Sequence, residues 1–403
     1  MLFEEVIGQR SVKESLVQMI HQNRLSHALL FLGKEGVGGL PLARAFAQYI
    51  VCEKVNRKPE APAGPSLFGD PEPTAVDAYR TDACGTCPAC QKAAKGIHPD
   101  IHFSFPVIPR KSGDKPISND YLPEWREFIT QHPYGNAYDW LQFIGAENRQ
   151  GNITAEECND IIRKLSLKSF ESEYKILILW MPEYLTKNGN RLLKLIEEPP
   201  AKTLFILVAE DDGAILPTIL SRTQLVKIPL LHPRDVEATL ELKAGIPLAK
   251  AQQIAALSEG NYREALQLAQ HPDDDWMAVV REWLNLIARG QVAQWPKWID
   301  QISKEGREKQ KQFLQYFVHL LEQSVRLSQV PDAPQHFAMS ETEQDFAARM
   351  IKLCSIHQLQ TMVEILEPAA YYVERNANPK MLFHALSIKL FHVIRNNSVI
   401  LVQ

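Results

Sequence analysis

A chain of 403 residues is long enough for two or three domains, each able to bury its own core. Apolar residues make up 45% and charged residues 23%, which excludes a disordered or fibrous protein. The formal net charge of −4 gives no global basic field, so any contact with nucleic acid must be local or shared with partners.

Residues 5–24 are predicted as an amphipathic helix, with Val12, Leu16, Met19 and Ile20 on one side. The acidic start, Met1-Leu2-Phe3-Glu4-Glu5, lacks the hydrophobic core of a signal peptide. No apolar run nears the ~20 residues of a membrane span. The expectation is therefore a cytoplasmic protein with reduced thiols and no membrane contact. The apolar run Ala28-Leu29-Leu30-Phe31-Leu32 reads as a buried strand, followed by Gly33-Lys34-Glu35-Gly36-Val37-Gly38-Gly39-Leu40 and a helical stretch over 42–50. That is the strand, glycine loop and helix of a P-loop, with the spacing G-x-x-x-x-G formed by Gly33 and Gly38. The two residues after Gly38 should be lysine, for the outer phosphates, and Ser or Thr, for Mg²⁺; here they are Gly39 and Leu40. Without an ammonium or a metal ligand at those two positions, nothing there neutralises the charge that develops in phosphoryl transfer.

Five prolines with Gly64 and Gly69 make 59–73 a loop by composition. Cys84-x-x-Cys87-x-x-Cys90 follows, a spacing that brings three thiolates to one Zn²⁺. Cys52, at the end of the P-loop helix, can complete a tetrahedral set, and His98 is the alternative fourth ligand. A closed set of this kind is structural; a redox C-x-x-C is the competing reading. Cys158 and Cys354 stand alone and read as packed thiols. The stretch 101–150 is rich in aromatic and turn residues, with a short helix predicted over 123–131. Its rings (Tyr121, Trp125, Phe128, Tyr134, Tyr138, Trp140, Phe143) suit a small packed subdomain, or else a docking surface.

Thr154 is a predicted N-cap, with Glu157 three residues on, for a helix to about Leu167. Short apolar runs at 176–179 and 204–208 read as buried parallel strands, with a helix over 190–198 stopped by Pro199-Pro200. Such alternation predicts a doubly wound α/β domain. After Pro229 the strands cease: 234–270 reads as three short helices, 271–275 as a polar linker, and the rest as helical, with a loop at 331–334. Asn378-Pro379 is a helix start, since Asn caps and proline at the first position loses no needed N–H. Trp276, Trp283, Trp295 and Trp298 lack interleaved basic residues and read as core or interface rather than base-stacking groups.

By this point the chain resembles the bacterial clamp-loader family of AAA+ proteins. The residues that carry the resemblance are 3–9, Leu25-Ser26-His27-Ala28-Leu29-Leu30-Phe31, Asn190-Arg191-Leu192-Leu193-Lys194, Glu197-Glu198-Pro199-Pro200, 216–222 and Arg375-Asn376-Ala377-Asn378-Pro379-Lys380. The match covers most of 1–100 and 153–270, is looser in the terminal helices, and leaves 101–150 as an insertion. The resemblance implies an α/β AAA+ core with a parallel sheet and a four-cysteine zinc module, spanning 1–229, with the module at about 52–98. A three-helix lid at 230–271 and an all-α collar for oligomerisation at 272–403 would follow.

The family pattern also implies roles. Aligned with the family, Trp180 and Met181 stand where an active ATPase has its Asp and Glu, unless Glu183 serves out of register. In Ser221-Arg222-Thr223, Arg222 matches the arginine finger that reaches a neighbouring subunit's ATP, with Thr223 replacing cysteine. Arg263 matches a second sensor arginine for phosphate in its own subunit. ATP would not be hydrolysed; binding through the glycines (Gly33, Gly36, Gly38, Gly39) and Arg263 stays open. The implied partners are the gamma/tau-like ATPase and delta subunits of the clamp loader of DNA polymerase III, and through them the sliding clamp and primed DNA. The rival readings are an active motor subunit, and a zinc adaptor outside any clamp loader.

Overall fold

The computed structural model describes residues 1–56, 80–111, 113–146, 149–270, 276–329, 341–374 and 377–396. The proline-rich stretch 59–73, the polar linker 271–275, the loop 331–334 and Arg375-Asn376 lie outside the described residues. The chain divides into two compact units, Met1–Lys243 with Glu259–Glu264, and Ala244–Ser258 with Ala265–Gln403.

The first unit is built on strands β1 (Ala28–Leu32), β2 (Ile101–Ser104), β3 (Lys175–Trp180), β4 (Thr203–Ala209) and β5 (Gln224–Lys227). They form one parallel sheet in the order β2-β3-β4-β1-β5. Alternation along each central strand feeds two cores. Leu29, Phe31, Ile176, Ile178, Trp180, Ile206 and Val208 enter one; Leu30, Leu177, Leu179, Phe205 and Leu207 enter the other. Both faces are covered, so the strands read as unbroken apolar runs. The first core takes α1 (Arg10–His21), α2 (Gly39–Val51), α3 (Pro88–Ala94), α4 (Leu122–Gln131) and α5 (Ala137–Phe143); the second takes α6 (Ala155–Ser166) and α7 (Leu193–Glu197). Two short helices end the unit's α/β part, α8 (Pro217–Leu220) and, after β5, α9 (Pro233–Ala244).

Several local expectations change in the folded chain. The first helix begins at Arg10 rather than 5, because Gly8 and Gln9 both adopt positive φ, 56° and 55°. Gln9 tolerates the left-handed backbone while its side-chain amide donates to the carbonyls of Val37 and Pro229, at 3.2 and 2.7 Å. Thr154 caps α6 by accepting from Glu157 N at 3.1 Å, but the Glu157 carboxylate does not return to the cap; it accepts from Ser118 N at 2.7 Å. The helix expected over 190–198 is a tight-turned stretch, Pro182–Leu192, broken at Thr186 (φ 47°, ψ −134°), before the short α7.

Two edge strands were not foreseen. β2 alternates polar residues, and only Val226 of β5 is buried. The stretch 101–150, expected as an insertion, thus supplies a strand of the sheet itself. Its aromatic residues join the main core: Trp125, Phe128 and Trp140 are fully buried, Trp125 lies 4.1 Å from Phe105 and 5.1 Å from Trp180, while Tyr138 is exposed.

Three helices occupy the stretch 230–271: α9, α10 (Leu248–Leu257) and α11 (Tyr262–Gln270). α9 groups with the first unit up to Lys243, α10 with the second, and α11 divides after Glu264. The rest of the second unit is α12 (Trp276–Ala288), α13 (Trp295–Ile302), α14 (Arg307–Gln329), α15 (Glu341–Leu353), α16 (Ile356–Glu374) and α17 (Pro379–Asn396). α14 packs along α15 and α16, and α17 along α12, α13 and α16. Trp283 and Trp298 stack with centroids 4.8 Å apart and, with Trp295, are buried; Phe313, Phe317 and Phe383 complete the centre. Asn378 caps α17 by accepting from Lys380 N and Met381 N, at 3.0 and 3.3 Å.

Candidate functional site

Ligands of open parallel sheets bind beyond the carboxyl ends of the strands, and the glycine loop lies there. Gly33 continues β1, its N–H donating to Ala209 O at 3.1 Å, and the chain turns through Gly36 (φ 72°) and Gly38 (φ 93°) into α2. Glycine serves here for its positive φ and for close approach. What approaches, however, is the chain itself. A Cβ on Gly36 would sit 1.7 Å from Asn261 Oδ1, and one on Gly38 would sit 3.0 Å from Tyr134 Cε1. The cleft left over the loop is about 30 Å³, lined among others by Gly39, Leu40, Tyr134, Trp180, Met181 and Glu210.

Trp180 and Met181 line this cleft beside the loop. Neither can ligate Mg²⁺ or take a proton. Trp180 ends β3 with its ring against Trp125 and, at 6.1 Å, Phe128, so this position serves packing. Glu183 does not line the cleft; its Oε1 accepts the backbone N–H groups of Glu210 and Asp211, at 2.6 and 3.0 Å. Burial raises its pKa, and these N–H donors oppose the rise.

Arg263 is 5% exposed and fully engaged. Its fork meets Asp139 through Nε and one terminal nitrogen, at 2.5 and 2.7 Å, and its other terminal nitrogen meets Glu35 Oε1 at 3.1 Å. Asn136 and Asp139 form a reciprocal capping box at the start of α5, and Asn136 Nδ2 also donates to Glu35 Oε2 at 2.8 Å. Tyr134 Oη accepts from Ile7 N at 2.8 Å, and its ring meets Tyr262 edge to face at 5.0 Å. Burial drives the Tyr134 phenol well above its ordinary pKa. None of Glu35, Asn136, Asp139 or Glu210 was singled out from the sequence, and Tyr134 was read only as packing. The spacing Asn136-x-x-Asp139 was a cap signal, but nothing local says that the cap faces a glycine loop.

Arg222 lies apart from this cleft, just after α8. Its Nε donates to Glu197 Oε1 at 2.6 Å and one terminal nitrogen donates to Thr218 O at 2.8 Å; the second terminal nitrogen pairs with the same carboxylate. The side chains are 32% and 46% exposed, so the pair is open to water and worth little.

Cys52, Cys84, Cys87 and Cys90 converge, with all four Sγ atoms within 4.8 Å of one another. None forms a disulfide. Their donor chemistry fits a tetrahedral thiolate ion: Cys84 and Cys90 Sγ are 3.9 Å apart, close to the ~3.8 Å edge expected from Zn–S bonds of ~2.3 Å. Backbone N–H groups point at the sulfurs, Cys84 N at Cys52, Cys87 N at Cys84 and Cys90 N at Cys87, at 3.3 to 3.4 Å. Burial opposes ionisation of Cys84, but hydrogen bonds from the backbone N–H groups of Cys87 and Thr86 and from their side chains draw its thiol down to about 6. His98 is not in the group: it accepts from Asp100 N at 3.1 Å and lies 3.2 Å from Glu171. The site can hold a metal ion. Cys158 and Cys354 are separately buried, which pushes each thiol up to about 11.

The chain matches the family described as DNA polymerase III, delta subunit, over residues 8–65 and 74–232. It is 26% identical over 266 residues to DNA polymerase III subunit delta' of Bacillus subtilis, covering 66% of this chain and 60% of that protein. Subunit delta' of Pseudomonas aeruginosa is 26% identical over 276 residues, covering 67% and 64%. Subunit gamma of Buchnera aphidicola is 21% identical over 275 residues, covering 67% and 58%. The chain thus spans 58–64% of the length of these relatives. Among the described residues, no helix is long and apolar enough to cross a membrane.

Proposed function

The chain belongs to the DNA polymerase III delta-subunit family, and from that premise we propose that it is a delta-prime-type clamp-loader subunit that hydrolyses no ATP itself. The observation that carries the reading is the cleft at the glycine loop, where Leu40, Trp180 and Met181 stand among the lining residues. Phosphoryl transfer is almost entirely positioning and electrostatic stabilisation, by lysine, Mg²⁺ and an acid that orients the nucleophile. Gly39 and Leu40 remove the first two, and Trp180 and Met181 the third.

Its contribution to turnover is then made across an interface. Arg222 acts as the arginine finger for ATP bound by a gamma/tau-like neighbour. A guanidinium is always charged and meets phosphate as a planar fork. The exposed pair with Glu197 is weak enough to exchange for phosphate. Delta-type subunits, the sliding clamp and primed DNA are the further partners, in the cytoplasm. The four cysteines hold structural Zn²⁺, residues 230–271 act as the lid, and the helices of 272–403 form the collar contact.

Two assays test this. The purified chain should release no phosphate from ATP; turnover dependent on its own cleft residues would sink the reading. In a complex reconstituted with the cognate ATPase and delta subunits, Arg222→Ala should leave assembly intact and slow ATPase severalfold. A finger in trans supplies ~10³–10⁵ at its own site, while other sites in the ring keep theirs. Undiminished ATPase would remove the finger assignment.

A further inference from the structure

We propose, resting on the reading of the four cysteines as a metal site, that this site is a latch for the amino-terminal segment. Metal bound there fixes the chain at 82–85, and that stretch in turn holds residues 2–4. Loss of the metal frees them while the parallel sheet stays folded.

Residues 2–5 belong to no helix or strand. Their own bonds are few. Glu5 N donates to Leu2 O and Val6 N to Phe3 O, each at 3.2 Å, and Glu5 Oε2 accepts from Leu2 N at 2.5 Å. Ordering such a stretch costs backbone entropy that contacts from elsewhere must offset. For residues 2–4 these contacts lead to one place. Asp82 accepts Phe3 N through Oδ1 and Glu4 N through Oδ2, both at 2.9 Å. Leu2 lies over Gly85, where a Cβ would come 3.4 Å from Leu2 Cδ1. The buried Phe3 ring meets Tyr49 of α2 at 5.7 Å, and the Tyr49 hydroxyl donates to Arg80 O at 2.7 Å.

The stretch 80–86 has no helix or strand of its own either. What closes it onto the end of α2 is the convergence of the four sulfurs, with Cys84 N donating to Cys52 Sγ at 3.3 Å. A metal joining those thiolates contributes its binding energy to the fold of this loop. Asp82 stands two residues before Cys84, so its carboxylate keeps its place only while Cys84 keeps its own. The far end of the segment is anchored independently. Ile7 N donates to Tyr134 Oη, Gln9 Nε2 to Val37 O and Pro229 O, and Lys13 Nζ to Val6 O at 2.6 Å. The latch therefore governs residues 2–5 and leaves 7–9 in place.

The test is limited proteolysis of the full-length chain with a glutamate-specific protease, which cuts after Glu4 and Glu5 once the segment opens. Cleavage is read by intact mass, and metal content is measured alongside. The metal-bound wild type should resist cutting at both positions. Chelation below the melting transition should speed it at least ~10-fold, because losing two hydrogen bonds to a carboxylate raises the open population. Hydrogen exchange in β3 and β4 should not change. Asp82→Ala should be cut as fast as the chelated protein with its metal still bound, since Asp82 supplies none of the four sulfurs. Unchanged cutting after metal removal overturns the inference. So does a loss of protection across β3 and β4, which would make the metal a prop for the whole unit. An Asp82→Ala chain that keeps its metal and resists cutting overturns it as well. Should that variant not fold, the chelated wild type decides alone. A chain purified without metal would sink the metal reading too, whereas a metal-bound chain whose cutting ignores chelation sinks only the latch.

Discussion

Trp180 ends β3 inside a ring cluster, at the position where the proposed reading expects an active ATPase to carry an acid. Its indole lies 5.1 Å from Trp125, which in turn meets Trp140 edge to face at 5.2 Å. An acid restored at 180 would therefore be buried among aromatic rings with no partner. Trp180→Asp should destabilise the first unit by more than ~3 kcal/mol, by cavity and desolvation together, and restore no ATPase. Trp180→Phe, which keeps a ring, should cost about 1–2 kcal/mol. Urea denaturation followed by tryptophan fluorescence measures both. Equal costs would mean that the ring cluster does not hold this residue. The identity of Trp180 was plain in the sequence. Its partners were not, because Trp125 and Phe128 come from a stretch that local pattern alone set apart from the sheet as an insertion.

Among the elements, α14 carries a buried base. His319 is 8% exposed, and burial first, with a smaller effect from Arg326, brings its pKa down to about 4 against a pull upward from Glu343. Between an unfolded value of ~6.5 and the folded value, the unfolded chain binds the extra proton, so stability rises with pH there. The second unit should lose about 2 kcal/mol from this residue between pH 7 and pH 5, at ~1.4 kcal/mol per pH unit below 6.5. His319→Leu should remove that part of the pH dependence. Denaturation midpoints at the two pH values check it, and an unchanged slope in the variant would refute the assignment. Elements with strong local signals were legible: β1, β3 and β4 from apolar runs, α17 from Asn378-Pro379, α6 from Thr154. The edge strands β2 and β5 were not, since each is four residues long and only pairing with a central strand makes it a strand.

At the scale of the whole molecule, each compact unit holds its own core, and the four-cysteine group belongs to the first. Calorimetry should resolve separate transitions for the two units. A strong chelator, or Cys87→Ser, should lower only the one belonging to the first unit, with zinc lost in step by metal analysis. Structural zinc sites contribute folding energy directly, so a drop of several degrees is expected. A metal-free protein with an unchanged melt would remove zinc from the account. The spacing Cys84-x-x-Cys87-x-x-Cys90 identified three ligands in advance. Cys52 was left open against His98, and only the return of the chain from 80 to 90 beside the end of α2 brought its sulfur to the other three.

The sequence by itself determined the side chains of the glycine loop and of the end of β3: Gly39, Leu40, Trp180 and Met181 offer neither an ammonium nor a carboxylate, wherever the chain runs. It also determined the parallel sheet, because residues covered on both faces must be apolar in unbroken runs. Only the tertiary structure decided what packs beside the glycine loop. Tyr134 reaches Ile7 over 127 positions of sequence, and Asp139 reaches Arg263 over 124. Contacts between segments so distant leave no periodic trace in either one, since each residue's local spacing serves its own helix or turn.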